Sequence, residues 1–259
     1  MAQVDLIQIT DTGRVRQHNE DAIGSWPSED GLLFAVADGL GGENAGEVAS
    51  RLALEVLERE YRESPGQWPT AKKLRRALQE ANLRIYNMGI TVPELRGMGT
   101  TVTASAIVGA SLVAAHVGDC RLFRLRDGKL SQLTKDHTWV AEQVQFGLLT
   151  PNQAVSHPRR HMLTRSLGKE LIVAVDVVSS DVRAGDLLLQ CSDGLHTHVA
   201  EPDLLAVLRE NEPETACRSL LERALDAGGA DNLSVQIAVV TSCSPPPQRS
   251  WWQRLRPAR

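Results

Sequence analysis

The sequence predicts an α+β fold in which two antiparallel β-sheets stack face to face and helices flank them, an α-β-β-α sandwich. Three observations predict it. Strand-period segments and long amphipathic helices fall in blocks instead of alternating strictly. From Thr100 onward the strand segments follow one another as hairpins, which build antiparallel sheets. Two stacked sheets then accommodate the strand count.

Residues 4–10 and 22–23 read as short strands around a polar turn, followed by a hairpin through Glu29-Asp30-Gly31 into an apolar strand over 32–37. After the glycine cluster at 39–42, residues 45–62 carry Ala49, Leu52, Ala53, Val56 and Leu57 at helical spacing. A second helix over 70–88 puts Leu74, Ala77, Leu78, Ala81 and Ile85 on one face. Both helices are amphipathic, so each covers something apolar. The period then changes to strand type over 100–108, 111–117 and 121–125, with Asp127-Gly128 turning the chain into 129–133. Residues 134–168 have little strand signal and are interrupted by Gly147, Pro151 and Pro158. That stretch reads as an inserted, mobile loop region beside a site, with one helix over 138–146. Strands resume at 171–178 and 186–191, helices follow at 202–210 and 214–227, and 233–240 closes as the last strand. Gly228-Gly229 is the stop signal of the last helix. One domain is expected over 1–240, followed by a tail over 241–259 in which Pro245-Pro246-Pro247 stiffens the exit and Trp251-Trp252 sit among four arginines.

At 259 residues, with 42% apolar and 23% charged residues, the chain has ordinary globular proportions. A formal net charge of -4, with basic residues concentrated only at the end, argues against nucleic acid as a partner. Cys120, Cys191, Cys217 and Cys243 are widely spaced, and residues 1–5 open on polar and acidic side chains. A reduced, cytoplasmic protein is expected, and no window of 18 apolar residues predicts a membrane span.

Four short segments far apart each place an Asp, usually followed by Gly or Asn, at a strand end or loop: Asp38-Gly39, Asp119, Asp193-Gly194 and Asp231-Asn232. Two carboxylates about 4 Å apart repel by roughly 4 kcal/mol at an effective dielectric near 20, so such a set calls for cations, and hard divalent metals suit it. Asp30-Gly31 and Asp127-Gly128, between polar flanks, read as hairpin turns instead. For Asp38 and Asp193 the plain alternative is a helix N-cap.

The surrounding words decide how the set is read. Arg16-Gln17-His18-Asn19-Glu20-Asp21, Asp38-Gly39-Leu40-Gly41-Gly42, Gly97-Met98-Gly99-Thr100-Thr101, Gly118-Asp119-Cys120-Arg121, Leu163-Thr164-Arg165-Ser166-Leu167-Gly168, Cys191-Ser192-Asp193-Gly194-Leu195 and Asp231-Asn232-Leu233-Ser234-Val235 occur in this order. The chain resembles the metal-dependent type 2C (PPM) serine/threonine protein phosphatases in their compact bacterial form, from about residue 4 to 240. The resemblance implies that Asp38 bridges two Mn²⁺ or Mg²⁺ ions, with the Gly39 carbonyl as a further ligand, and that Asp193 and Asp231 complete one metal. It implies that Glu20 and Asp21 hold or orient metal-bound waters, that Asp119 with Asp193 forms a weaker third-metal site, and that Arg16 holds the phosphate. By the same resemblance, phosphoserine and phosphothreonine in proteins are hydrolysed by in-line attack of a metal-bridging hydroxide, reversing a bacterial Ser/Thr kinase, with no phosphoenzyme.

Cys120 to Arg126 and Cys217 to Arg223 fit the C-x5-R spacing of cysteine-dependent phosphatases, but no intervening glycine turns amides toward an anion, so core cysteines are expected. Leu40 stands where eukaryotic relatives carry a His thought to be the general acid, which leaves the leaving-group acid unassigned; a metal-bound water or His161 are the substitutes. Cys120 replaces a Ser in its motif, a neutral change. His116 reads as a satisfied core histidine, and His196 and His198 face apart on a helix. Two other readings compete: a pseudophosphatase, which a missing acidic ligand would favour, and a regulatory phosphatase with one dedicated partner. The tail reads as a solvated end or as a docking peptide for an acidic partner or membrane surface.

Overall fold

The computed structural model describes residues 1–28, 31–41 and 45–244, and structural statements are made of these residues. The strands are β1 (Ala2–Asp11), β2 (Ala22–Ser28), β3 (Gly31–Leu40), β4 (Gly99–Val108), β5 (Ser111–Val117), β6 (Arg121–Arg126), β7 (Lys129–Gln132), β8 (Asp176–Asp181), β9 (Leu187–Cys191) and β10 (Leu233–Cys243). The helices are α1 (Ala45–Glu63), α2 (Thr70–Thr91), α3 (Trp139–Gln145), α4 (Pro151–Val155), α5 (Asp193–His196), α6 (Glu201–Glu210) and α7 (Pro213–Asp226). Two five-stranded antiparallel sheets form, ordered β1-β10-β9-β6-β7 and β2-β3-β4-β5-β8.

The layers follow from period-2 alternation. In β3, Leu33, Ala35 and Ala37 pack under Ala49, Val56 and Leu57 of α1 and Leu74, Leu78 and Ile85 of α2. The alternate residues Leu32 and Phe34, with Ile107 and Leu112 of the same sheet, face the other sheet, where they meet Leu122, Leu188, Ala238 and Val240. The outer face of that second sheet is covered by α5, α6 and α7 through Leu195, Leu204, Leu208 and Leu220. The predicted α-β-β-α sandwich is therefore the observed one.

Along the faces between the sheets, chemistry changes steadily. Continuing the same alternation leads from Phe34 to Asp38 on β3, from Ile107 through Ser105 and Thr103 to Thr101 on β4, and from Val240 and Ala238 through Gln236 to Ser234 on β10. One end of the interface is apolar and the other polar and acidic. Midway, Ser105 Oγ donates to Gln190 Oε1 at 2.6 Å, and Gln190 Nε2 donates to the Thr103 carbonyl and to Gln236 Oε1. Gln236 Nε2 in turn donates to Gln8 Oε1 at 2.8 Å. Buried amides with their partners satisfied avoid the cost of lost hydration.

Several boundaries differ from the sequence reading. The strand expected over 171–178 forms at Asp176–Asp181, paired with β5. Its expected start is tied to a helix instead, because buried Asn82 on α2 donates to the Glu170 and Leu171 carbonyls and leaves Leu171 and Ile172 55% and 80% exposed. β2 runs five residues past the predicted end at residue 23, and β10 continues to Cys243, three past residue 240. Asp38-Gly39 does not end β3; the strand runs on to Leu40, with Asp38 paired to Thr101. Helix α4 falls inside the stretch read as loop, where Pro151 is its first residue and Thr150 with Gln153 forms a capping box. Glu29 and Asp30 of the predicted hairpin turn, Gly42, and the tail from residue 245 lie outside the described residues. Among the described residues no helix is long and apolar enough to cross a membrane.

Candidate metal centre

The polar end of the inter-sheet interface gathers five of the predicted aspartates from five separate segments. Burial, then the charges of Asp193, Asp21, Asp119 and Asp231, pushes the Asp38 carboxyl well above the usual carboxylate range. Asp119 is raised well above its ordinary value by burial and by Asp193 and Asp136. Asp193 is raised by burial and by Asp231. Asp21, 7% exposed, is raised to about 7 by burial, against hydrogen bonds from serines. Groups that resist ionisation first through burial and then through one another's charge share one field, and a divalent cation would relieve it.

The donors present are carboxylates and backbone carbonyls, which fits a hard, oxygen-seeking ion and not a soft one. Among the described residues, no three His, Cys, Asp or Glu side chains are drawn close enough to form a metal-binding group as they stand.

Each position has a local cause. Thr100 Oγ1 donates to the Asp38 carbonyl at 2.8 Å, and the Asp38 N–H reaches Thr101 Oγ1 at 3.4 Å. Gly39 N–H donates to the Glu20 carbonyl at 3.1 Å, and a Cβ on Gly39 would overlap the Glu20 and Gly46 carbonyl oxygens, so only glycine fits there. Asp193 opens α5 directly after Ser192, which occupies the N-cap position, so neither Asp38 nor Asp193 is an N-cap. Asp231 sits between α7 and β10 and accepts the Asn232 N–H at 2.9 Å. Arg16 stands exposed at the rim, its guanidinium 2.9 Å from Asp231 Oδ2, and Asp231 strengthens its hold on its proton. Glu20, half-buried, is raised by burial against the pull of Arg16.

Three residues carry no assignment from sequence, although two of them, Ser192 and Asn232, lie inside the quoted motifs. Ser192 Oγ donates to Asp21 Oδ2 at 2.7 Å while accepting the Ser234 N–H at 3.0 Å, which ties β9, β10 and the Asp21 loop together. Asn232 Oδ1 accepts the Glu20 N–H at 2.8 Å, and its Nδ2 donates to the Thr12 and His18 carbonyls. Asp136 takes a two-pronged bond from Arg121, with contacts of 2.6 and 3.0 Å, and so supports the Asp119 loop from the side. The signals were an Asn after Asp231 and a Ser before Asp193, which read equally well as capping or turn residues.

The segment 134–168 carries α3 and α4 and is pinned at both ends. The His137 N–H donates to the Gly118 carbonyl at 2.7 Å, His137 Nδ1 accepts the Gly118 N–H at 3.0 Å, and the Thr164 N–H donates to the His137 carbonyl. His161, on this segment, brings Nδ1 to 4.0 Å from Asp193 Oδ2. His116 is a satisfied core histidine, bonded to Thr103 Oγ1 and the Lys135 carbonyl. His196 and His198 each contact a different backbone carbonyl, of Asp119 and Gly194, and do not converge. Cys120, Cys191 and Cys217 are buried, with Cys191 and Cys217 pushed up to about 12 and 11 by burial, which leaves no thiolate nucleophile among them.

Comparison with known proteins agrees with this arrangement. The family model for protein phosphatase 2C matches residues 12–226. The serine/threonine protein phosphatase PstP of Mycobacterium tuberculosis is 40% identical over 245 residues, 93% of this chain, which spans only 46% of that protein's length. The serine/threonine phosphatase stp of Listeria welshimeri is 37% identical over 232 residues, covering 87% of this chain and 92% of that protein. The crystal structure of the PstP catalytic domain in complex with two manganese ions superimposes with a TM-score of 0.82 at 37% identity, over 92% of this chain and 99% of that one. The chain belongs to the protein phosphatase 2C family.

Proposed function

We propose that this chain hydrolyses phosphoserine and phosphothreonine in proteins, using divalent cations held at the acidic end of the sheet interface, and that it opposes a Ser/Thr kinase. The observation that carries the reading is the convergence of Asp21, Asp38, Asp119 and Asp193, each raised by burial and by neighbouring carboxylates, with Asp231 among those neighbours. The residues that would hold Mn²⁺ or Mg²⁺ are Asp38 and the Gly39 carbonyl, then Asp193 and Asp231. Glu20 and Asp21 act through water, and Asp119 belongs to a third, weaker site. Two manganese ions in the PstP complex support a pair. Such ions, when bound, supply a water nucleophile at neutral pH and neutralise phosphoryl oxygens.

The chain's own groups do the positioning. Arg16, exposed beside Asp231, offers a planar fork that grips a phosphate from outside. Ser192 fixes the Asp21 carboxylate and Asn232 the Glu20 backbone, so the acidic groups keep their geometry. Leu40 offers no proton to the departing serine or threonine oxygen. Residues 1–240 form the catalytic unit, with 241–259 as an appended tail, and the cytoplasm is the compartment where such a protein meets its phosphoprotein substrates. The complete acidic set speaks against a phosphoprotein-binding pseudoenzyme.

The experiment is Mn²⁺-dependent hydrolysis of a phosphothreonine peptide by the full chain, coupled to metal analysis. Turnover that EDTA abolishes, and that Asp38→Asn and Asp193→Asn each lower by about 10³-fold or more, supports the reading. A chain that binds Mn²⁺ and yet releases no phosphate overturns it.

A further inference from the structure

A groove of about 1300 Å³ opens directly on Asp119 and Asp193 and runs away from them between the 134–168 segment and the α5–α6 side of the molecule. It exceeds the roughly 300–1,000 Å³ of ordinary small-molecule pockets, and its walls suit a polypeptide better than a metabolite. Val144 and Val155 line it from the α3–α4 segment, and Val199 and Leu204 from the opposite wall. Val155 is 77% exposed, an aliphatic side chain presented to solvent beside the candidate centre. The same groove is lined by Lys135 and Arg160, whose charged ends enter no ion pair among the described residues, and by Glu201 on the far wall. Arg121, also in the lining, is already neutralised by Asp136.

We propose that this groove seats the stretch of substrate polypeptide on one side of the phosphorylated residue, and that it selects a bulky aliphatic side chain together with a carboxylate near it. The inference rests on the phosphatase reading for its anchor. The groove is continuous with Asp119 and Asp193, so whatever chain carries a phosphate to them must leave along or across it. Val144 and Val155 form the apolar side of a slot that water solvates poorly, and an aliphatic side chain packs there favourably. Lys135 and Arg160 attract an acidic residue and disfavour a basic one. The occupant is thus an extended acidic–aliphatic phosphopeptide. Because the slot lies to one side of the centre, the preference applies to one flank of the phosphorylated residue and not both.

The test walks a single leucine through the flanking positions of a fluorescein-labelled phosphothreonine peptide otherwise built from alanine and glutamate. Affinity by anisotropy and kcat/KM with Mn²⁺ are measured for the full chain and for Val144→Ser/Val155→Ser; Val155 is exposed and Val144 half-buried, so circular dichroism and the single variant Val155→Ser guard against misfolding. Leucine at one flank should improve both readings by about tenfold over alanine, and the double variant should bring that ratio close to one. A flat leucine scan, or a preference that survives the double variant, overturns the assignment. A tighter peptide affinity on deleting residues 244–259 would give the groove to the chain's own tail and overturn it equally. Leucine-selective binding without turnover would sink the enzyme reading and leave the groove standing, whereas turnover with no selectivity would do the reverse.

Discussion

Replacing Ser192 by Ala isolates how the fold holds the acidic set, because one hydroxyl there serves two partners that lie far apart in sequence. Ser192 Oγ donates to Asp21 Oδ2 at 2.7 Å and accepts the Ser234 N–H at 3.0 Å, with Ser192 and Ser234 fully buried. Removing it takes away a hydrogen bond to a carboxylate, about 1.5–3 kcal/mol, and strands a buried N–H at about 1–3 kcal/mol, while alanine leaves no room for a compensating water larger than the lost oxygen. The sum spans about 2.5–6 kcal/mol of destabilisation, and partial relaxation favours its lower end, about 3 kcal/mol, or ~6–12 °C in Tm for a chain of this size. Urea unfolding of the full chain in EDTA, followed by circular dichroism, measures it. The cycle Ser192→Ala, Asp21→Asn and the double variant should show a coupling of about 1–2 kcal/mol, since the two side chains touch. A loss below about 1 kcal/mol, or strict additivity, would refute the claim that Ser192 clamps Asp21 to the β9–β10 end.

Gly39→Ala should fold with helix content intact but lose about 10²-fold in turnover, because its Cβ meets the Glu20 and Gly46 carbonyls and displaces Asp38; circular dichroism beside peptide hydrolysis checks this. Arg16→Ala should leave Tm within a degree or so, since its ion pair with Asp231 is exposed, yet cost about 10²-fold in kcat/KM, a split seen by pairing calorimetry with kinetics. Acid should destabilise the fold through His116, which burial, aided by the neighbouring His137, pushes down to about 4 from the ordinary 6.5; Asp136, Asp176 and the Lys135 carbonyl pull the other way. The unfolded chain takes up this proton first, so the contribution is complete above pH 6.5 and about 3 kcal/mol of stability is lost as the pH falls from 6.5 to 4. Urea midpoints across that range should flatten by this share in His116→Gln.

The layers were legible because β3 and β4 alternate so regularly that both faces declare themselves: Leu33, Ala35 and Ala37 for the helices, Leu32 and Phe34 for the other sheet. The aspartates were legible because their neighbours form ordered motifs. What escaped depends on contacts with no local signature. The segment 171–175 has strand-like residues, yet Asn82, nearly ninety positions earlier, takes the Glu170 and Leu171 carbonyls and denies that stretch to the sheet. Helix α4 is short, and its capping box at Thr150 and Gln153 was outweighed by the breaker signal of Pro151, though proline suits the first helical turn. Ser192 and Asn232 carry no local sign of their roles because their partners, Asp21 and the Glu20 N–H, lie 171 and 212 residues away.

The position of the candidate centre is a consequence of register. On β3 a shift of one residue would turn Asp38 toward α1 and bring Leu33 and Ala37 into the sheet interface, since side chains alternate strictly. Two features of the interface oppose that shift. At its apolar end, Phe34, Ile107, Leu112, Leu122 and Leu188 are fully or almost fully buried, each contributing on the order of 1.5–3 kcal/mol that a slip would forfeit. In its middle, Ser105, Gln190, Gln236 and Gln8 form a chain in which each amide has its partner, and displacement would strand several buried polar groups at once. Gathering carboxylates costs roughly 4 kcal/mol per pair at 4 Å and an effective dielectric near 20. The acidic end therefore persists because the remainder of the same interface fixes where each strand stops. Sheet pairing thus places Asp38 itself, and the loops that carry Asp21, Asp119 and Asp231 are brought to it by the strands they adjoin.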